Sequence, residues 1–176
     1  RRVLAMDDAL LCLAGQTDQD FELIIIGHNP ETESIDFTAV HELCARYQPF
    51  FDRAIQFAEV RGGKRAKPLN ESIGYARGDH IVFFDDDDML FANWVENFTP
   101  ESTHDHLIRQ VCAVQRNHVE AWPVGSGFRA VSWPETPYPA RFMLIDHMGV
   151  NKSPFMSVAF PKAFFANGFR FDEDLD

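Results

Sequence analysis

Residues 78–90 read GDHIVFFDDDDML, so that four carboxylates follow directly on a run of apolar side chains. Adjacent negative charges repel one another, and each carboxylate loses hydration when it approaches apolar surroundings. A bound divalent cation reverses this balance, because its charge attracts all of the carboxylates at once. Oxygen ligands favour hard cations such as Mg²⁺ and Mn²⁺. The aspartate run (residues 85–88) is therefore a candidate metal site.

The location of the aspartate run also favours a phosphate-containing ligand. Ligands of open α/β sheets bind beyond the carboxyl ends of the strands, and Mg²⁺ completes its coordination with water and substrate phosphates. In an extended chain, Asp85 and Asp87 would point to one side and Asp86 and Asp88 to the other. One pair would then hold a metal while the other reaches ribose or sugar hydroxyls. A solvated acidic turn without a ligand is the alternative.

Helices alternate with short apolar strands in the first half of the chain. The pattern predicts helices over residues 1–16, 34–48 and 67–78, and strands over residues 21–27, 54–60 and 80–84. The almost wholly apolar segment 21–27 is typical of a strand that is covered on both faces. Such alternation predicts a parallel sheet with right-handed crossovers. Because such a sheet rarely begins on a helix, we expect a first strand N-terminal to Arg1.

The second half of the chain is less regular. We expect a short helix over residues 91–98, an apolar core segment at 107–114 and a proline-rich loop at 132–141. Residues 153–160 would form a strand, followed by a short helix that Gly168 ends. No repeat, low-complexity tract or linker interrupts the sequence, so the pattern predicts a single α/β domain over residues 1–176.

Composition excludes several classes of protein. With a net charge of −11, the chain of 176 residues lacks the basic surface of a nucleic-acid-binding protein. Its cysteines, Cys12, Cys44 and Cys112, form no C-x-x-C pair and predict reduced thiols in a cytoplasmic protein. No apolar run reaches the roughly 18–20 residues that span a bilayer, although peripheral association with a membrane stays open.

The segment from Asn70 to Asp88 resembles the family 2 glycosyltransferases. The family pattern is matched at Asn70, Ile73, Ala76, Gly78, Asp79, His80, Ile81, Phe83, Asp85, Asp87 and Asp88. Leu69 departs from it where the family often has Arg, and Ser72 where it often has Gly. Residues 10–27 are similar to the first helix, turn and second strand of the family, and residues 159–175 to its late segment with Gly-x-x-Phe-Asp-Glu-x-Leu.

The resemblance implies a GT-A fold, a Rossmann-like, mostly parallel sheet flanked by helices. Residues 1–90 would form the nucleotide-sugar-binding half, and residues 91–176 an incomplete acceptor-side half. The implied reaction moves a sugar, with inversion, from a UDP-, GDP- or dTDP-sugar to a hydroxyl of a saccharide or another acceptor. It implies Mn²⁺ or Mg²⁺ on Asp87, with Asp85 as second ligand. The implied donor-binding residues are His28, Asn29, Lys67, Asn70, Asp85, Asp86 and Asp88.

The catalytic base is not assigned within the sequence. In the family it lies in a Glu-Asp pair a few residues after Phe-Asp-Glu-x-Leu, so we expect it beyond Asp176. The terminal acidic residues are weaker candidates: Asp172, Glu173, Asp174 and Asp176. Family members also carry Asp-Asp-x-Ser after the second strand, where this chain has His28 and Asn29. The nucleotide base therefore stays open.

Two other functions are alternatives to sugar transfer. A haloacid-dehalogenase-type phosphatase also carries Asp-x-Asp at a strand end, but Met89 and Leu90 follow here where a Thr is usual, and two strands precede. A catalytically incomplete module that binds a nucleotide sugar or a cation is the other alternative. Further candidates are Trp133 for stacking on an acceptor, His147 and Asn151 for lining the site, and His104, Asp105 and His106 for a metal.

Overall fold

A computed structural model describes residues 2–99, 108–110, 117–122, 125–130, 132, 133, 135, 138, 143 and 153–174. Its helices are α1 (Arg2–Ala14), α2 (Thr38–Tyr47), α3 (Ala66–Ser72) and α4 (Lys162–Ala166). Its strands are β1 (Ile24–Asn29), β2 (Gln56–Arg61), β3 (His80–Val82), β4 (Ile108–Arg109), β5 (Asn117–Trp122), β6 (Gly125–Ala130) and β7 (Val158–Pro161). Helices and strands alternate through the first half, so the predicted α/β class is confirmed.

Strand pairing differs from the sequence prediction. β1 and β2 are parallel, with Ile25 opposite Phe57. β3 and β4 both pair antiparallel with β7, which lies between them, and β5 and β6 form an antiparallel pair. The expectation of a mostly parallel sheet is therefore wrong for the described strands. The cause is β7, which comes from the late segment and runs against β3, and an apolar pattern does not reveal the direction of a partner strand.

One face of β1 is covered by α1 and α2. Met6, Leu10 and Leu43 are buried there, and Leu23 and Ile25 pack against them. The isoleucines of β1 are nevertheless only half-buried, so the prediction of a strand covered on both faces is wrong. In the described part of the chain, β2 is the only strand paired with β1. The strand expected N-terminal to Arg1 stays a prediction.

Two predicted helices are shorter or absent. α3 ends at Ser72 and continues as a tighter turn, because the N–H groups of Gly74 and Tyr75 donate to the third preceding carbonyl and not to the fourth. Glycine is a poor helix former, which accounts for the early end. Residues 92–98 form hydrogen-bonded turns, with the backbone N–H of Val95 donating to the side chain of Gln16. No helix among the described residues is long and apolar enough to cross a membrane.

Glu22 joins the start of β1 to the loop that precedes β3. Its carboxylate accepts hydrogen bonds from the backbone N–H groups of Arg77 and Gly78, from the Arg77 guanidinium and from the Gln56 amide. Burial acts to raise the pKa of Glu22, but the backbone hydrogen bonds and the Arg77 cation outweigh it, and the pKa lies below its usual value of 4.5. The Glu22 side chain is only 11% exposed, so its hydrogen bonds to the backbone N–H groups are poorly screened by solvent, whereas the Arg77 side chain is 76% exposed and its charge is screened more strongly.

We expect the Glu22→Gln variant to be less stable than the wild type by about 1–2 kcal/mol near pH 7, because the amide cannot replace the charge-assisted hydrogen bonds. The folded pKa is below the unfolded one, so ionised Glu22 stabilises the fold above the unfolded value of 4.5, and this contribution is lost as the pH falls through the folded pKa. Urea unfolding at about pH 7 and about pH 3 measures both effects. Glu42→Gln, at an exposed glutamate of α2, is the matched control. An equal loss of stability at both pH values would contradict this role.

Candidate active site

The aspartate run forms a tight turn. β3 ends at Val82, before the predicted strand end at residue 84, and the Asp88 N–H donates to the Asp85 carbonyl at 3.2 Å. The expectation that Asp85 and Asp87 point opposite to Asp86 and Asp88 along an extended chain is therefore wrong. The turn leaves the first three aspartates exposed and half-buries the fourth.

Asp88 shows the electrostatic cost of this arrangement. Burial raises the pKa of the Asp88 carboxyl, and the negative charges of Asp85 and Asp87 raise it further. Each of these causes disfavours the ionised form. A cation bound at the turn would favour the ionised form of Asp88, which is the electrostatic condition expected of a metal-binding turn.

Arg65 lies against the aspartate turn. Its Nη2 donates to both carboxylate oxygens of Asp85, at 3.1 and 3.2 Å, and its guanidinium carbon lies 5.9 Å from the ring centre of Phe155. Arg65 directly precedes α3, in the connection that follows β2. The chain that leaves β2 and the turn that follows β3 therefore meet at one edge of the fold, where α/β proteins bind ligands.

Arg65 is not among the site residues predicted from the sequence. A signal was present, because Gly62, Gly63, Lys64 and Arg65 follow a predicted strand as two glycines and two cations. Glycine-rich connections after strands let the backbone approach a ligand, and a cation at that place suits an anionic one. Gly62 and Gly63 have φ values of 67° and 71°, a conformation that favours glycine.

Lys67 and Asn29 both use their polar atoms within the protein. Lys67 Nζ donates to the Arg61 carbonyl at 2.7 Å, at the end of β2. Asn29 is buried, donates to Glu59 and accepts from the Ile35 N–H, at 2.6 Å in each case. The Asn29 hydrogen bond is the main cause that lowers the pKa of Glu59. Asn29 thereby fixes the loop after β1, and a role of either residue in donor binding stays a prediction.

His28 lies beside Asn29 at the carboxyl end of β1. Its Nε2 is 3.1 Å from the Gly62 carbonyl oxygen, so this ring nitrogen carries the proton if it donates there. The histidine is half-buried and faces the connection that leads to Arg65. His28 therefore lies at the same edge of the sheet as Arg65, and its contact with a nucleotide base stays a prediction.

A cluster of phenylalanines fixes the aspartate turn to the end of the chain. Phe83, two residues before Asp85, lies 5.2 Å from Phe171 and 5.9 Å from Phe155 between ring centres. Phe171 is followed by the acidic turn (residues 172–174), in which the Asp174 N–H donates to an Asp172 carboxylate oxygen. Two groups of carboxylates therefore flank one aromatic cluster, and Asn70 of α3 contacts the second group.

Trp94 is partly buried, whereas Trp133 lies on the surface. Trp94 donates its Nε1 hydrogen to the Met156 carbonyl at 2.8 Å and packs edge-on against Phe98, so it is structural. Trp133 is 88% exposed, and its predicted contact with an acceptor stays open. Several predicted site residues lie outside the described part of the chain: His104, Asp105, His106, His147, Asn151 and Asp176.

The residues present fit a metal that has few protein ligands. Among the described residues, no group of three or more His, Cys, Asp or Glu side chains is placed to hold a metal ion. Mg²⁺ needs only one or two carboxylates when substrate phosphates complete its shell, and Asp85 and Asp87 on an exposed turn supply such oxygens. The predicted ligation by Asp87 and Asp85 stays a prediction.

Comparison with known proteins decides the family. The profile of glycosyl transferase family 2 matches residues 4–164, which is most of the chain. The chain belongs to glycosyl transferase family 2. The resemblance inferred from the aspartate run is thereby confirmed, and membership implies a GT-A fold and a glycosyltransferase. No curated protein sequence matches the chain significantly.

Proposed function

We propose that this glycosyltransferase moves a sugar from a nucleotide diphosphate sugar to an acceptor hydroxyl, with a divalent cation held by Asp87 and Asp85. The observation that carries the proposal is the meeting of Arg65 and Asp85 at one edge, where the connection after β2 reaches the turn after β3. A cation and a carboxylate turn side by side suit a metal-bound diphosphate, because both guanidinium and metal attract phosphate oxygens.

Each residue at this edge has a proposed task. Asp87 and Asp85 hold Mn²⁺ or Mg²⁺, and the metal, when bound, supplies charge stabilisation to the diphosphate leaving group. Arg65 contacts a phosphate oxygen while its ion pair keeps Asp85 oriented. Asp86 and Asp88 face the ribose or sugar hydroxyls, and His28 contacts the nucleotide base. The protein then contacts both the diphosphate and the nucleoside of the donor.

The proposed transfer inverts the anomeric carbon. The acceptor oxygen forms a bond to that carbon as the bond to the diphosphate oxygen breaks, and a carboxylate takes the proton of the acceptor hydroxyl. In the family pattern this carboxylate belongs to a Glu-Asp pair a few residues after Phe-Asp-Glu-x-Leu. Asp172 and Asp174 are the candidates for it within the described residues.

Calorimetric titration tests donor binding directly. We expect one of UDP, GDP and dTDP to bind in the presence of Mn²⁺ and to lose its binding when EDTA removes the metal, because the diphosphate would complete the metal coordination. The nucleotide that binds identifies the donor class. The absence of binding by all three would contradict the proposal, and equal binding with and without EDTA would contradict its metal dependence.

A further inference from the structure

The side-chain amide of Asn70 is almost fully occupied by one distant segment. Its Nδ2 donates to the Phe171 carbonyl and to a Glu173 carboxylate oxygen, each at 2.9 Å, while its Oδ1 accepts from the Phe171 N–H at 2.8 Å. An amide has two donor hydrogens and two acceptor lone pairs, so three of the four sites are in use. This leaves little capacity for a ribose or a phosphate.

The two hydrogen bonds to Phe171 fix its backbone from two sides. Asn70 binds both the N–H and the carbonyl of the same residue, as a neighbouring β-strand would. The residues are 101 positions apart, so this contact joins the first half of the chain to the second. Leu69 of α3 and Ile73, directly after the helix, pack in the same hydrophobic cluster as Phe83 and Phe171, which anchors the helix.

The third hydrogen bond of Asn70 joins it to one carboxylate of the acidic turn, that of Glu173. Glu173 is bound to α3 through Asn70, whereas the Asp172 carboxylate accepts from the Asp174 backbone within the turn. α3 also begins beside Arg65, which contacts Asp85. The same short helix therefore connects the aspartate turn at one end with Glu173 further along.

We propose that Asn70 is a positioning residue, which holds the 171–174 segment so that the Glu173 carboxylate lies beside the donor site and orients the attacking hydroxyl. The inference rests on the proposed function and deepens it. Asn70 then acts on the acceptor side and does not make the donor contact that the family resemblance implied. The Glu173 carboxylate accepts a hydrogen bond from a second hydroxyl of the acceptor, or from the second hydrogen of an attacking water, so the proton that is transferred is left to the base and no bond to Glu173 forms or breaks.

Asn70→Ala tests the inference through three measurements. We expect hydrogen exchange at the Phe171 N–H to accelerate at least about tenfold, because that amide loses its acceptor. We expect nucleotide affinity with Mn²⁺ to stay within about twofold, because the donor contacts remain. Hydrolysis of UDP-glucose, GDP-mannose or dTDP-glucose, with water as the acceptor, should lose at least about tenfold in kcat at an unchanged KM for the donor.

Two further variants keep the experiment decisive. Ser72→Ala is the matched control, because it removes a side-chain hydrogen bond within the same helix, to the Leu69 carbonyl, and leaves the 171–174 segment untouched. Asn70→Asp keeps the acceptor for the Phe171 N–H but places a carboxylate against Glu173. We expect it to protect that N–H better than Asn70→Ala does and to lose kcat all the same.

Distinct results separate failure of this inference from failure of the proposed function. Weaker nucleotide binding in Asn70→Ala with unchanged Phe171 exchange would show donor contact and overturn the inference. Faster Phe171 exchange with unchanged kcat would overturn the catalytic part of it. If the wild-type protein binds none of the three nucleotides, the proposed function fails, and the catalytic part of the inference fails with it. Hydrogen exchange at the Phe171 N–H would still decide whether Asn70 holds the 171–174 segment.

Discussion

The Asp87→Ala variant is expected to lose metal-dependent nucleotide binding by at least about 100-fold. Asp87 is exposed on the aspartate turn, where its carboxylate is available to a cation that also binds a diphosphate. Removal of this proposed ligand leaves Asp85, which is already engaged by Arg65. The fold should persist, because an exposed turn residue contributes little to stability. Calorimetric titration of the nucleotide in Mn²⁺ measures the loss.

Asp52→Ala is the matched control for this prediction. Asp52 is also exposed and carries the same charge, but it precedes β2 and therefore lies towards the opposite end of that strand from Arg65. We expect its nucleotide affinity to stay within about twofold of wild type. An Asp87→Ala protein that binds as tightly as Asp52→Ala would remove the aspartate run from the proposed donor site. Asp85→Ala then shows whether the other predicted ligand holds the metal alone.

The protein family and the α/β fold class could be predicted from the sequence because both depend on local patterns. The apolar run before Asp85 predicted a strand, and the spacing from Asn70 to Asp88 carried the family resemblance. The parallel pairing of β1 with β2 followed from the strands that flank α2. Each of these inferences uses residues that lie close together in the chain.

The details of the site were less accessible because they depend on contacts between distant residues. Asn70 meets Phe171 across 101 positions, and nothing in the local pattern of α3 indicates that partner. The pairing of β3 with β7 is another such contact, and it makes that part of the sheet antiparallel. The shape of the aspartate run also escaped prediction, since four adjacent aspartates are compatible with an extended chain or with a turn.

Phe83→Ala is expected to destabilise the protein by about 3–5 kcal/mol, the usual cost of removing a buried phenylalanine side chain. Phe83 is only 7% exposed, and its ring lies within 6.3 Å of the ring centres of Phe155, Phe160, Phe165 and Phe171. Its loss would leave a cavity directly below the aspartate turn. Urea unfolding, followed by tryptophan fluorescence, measures the free energy of unfolding.

Two comparisons distinguish this effect from a general loss of aromatic surface. Phe50→Ala removes a phenylalanine that is 62% exposed, and it should cost less than about 1 kcal/mol. Phe83→Leu refills most of the cavity and should recover a large part of the stability, which also provides a folded protein if the alanine variant does not fold. Because Phe83 supports both Asp85 and Phe171, we expect Phe83→Leu to weaken metal-dependent nucleotide binding as well. Wild-type stability in Phe83→Ala would mean that the aromatic cluster does not hold the two acidic turns together.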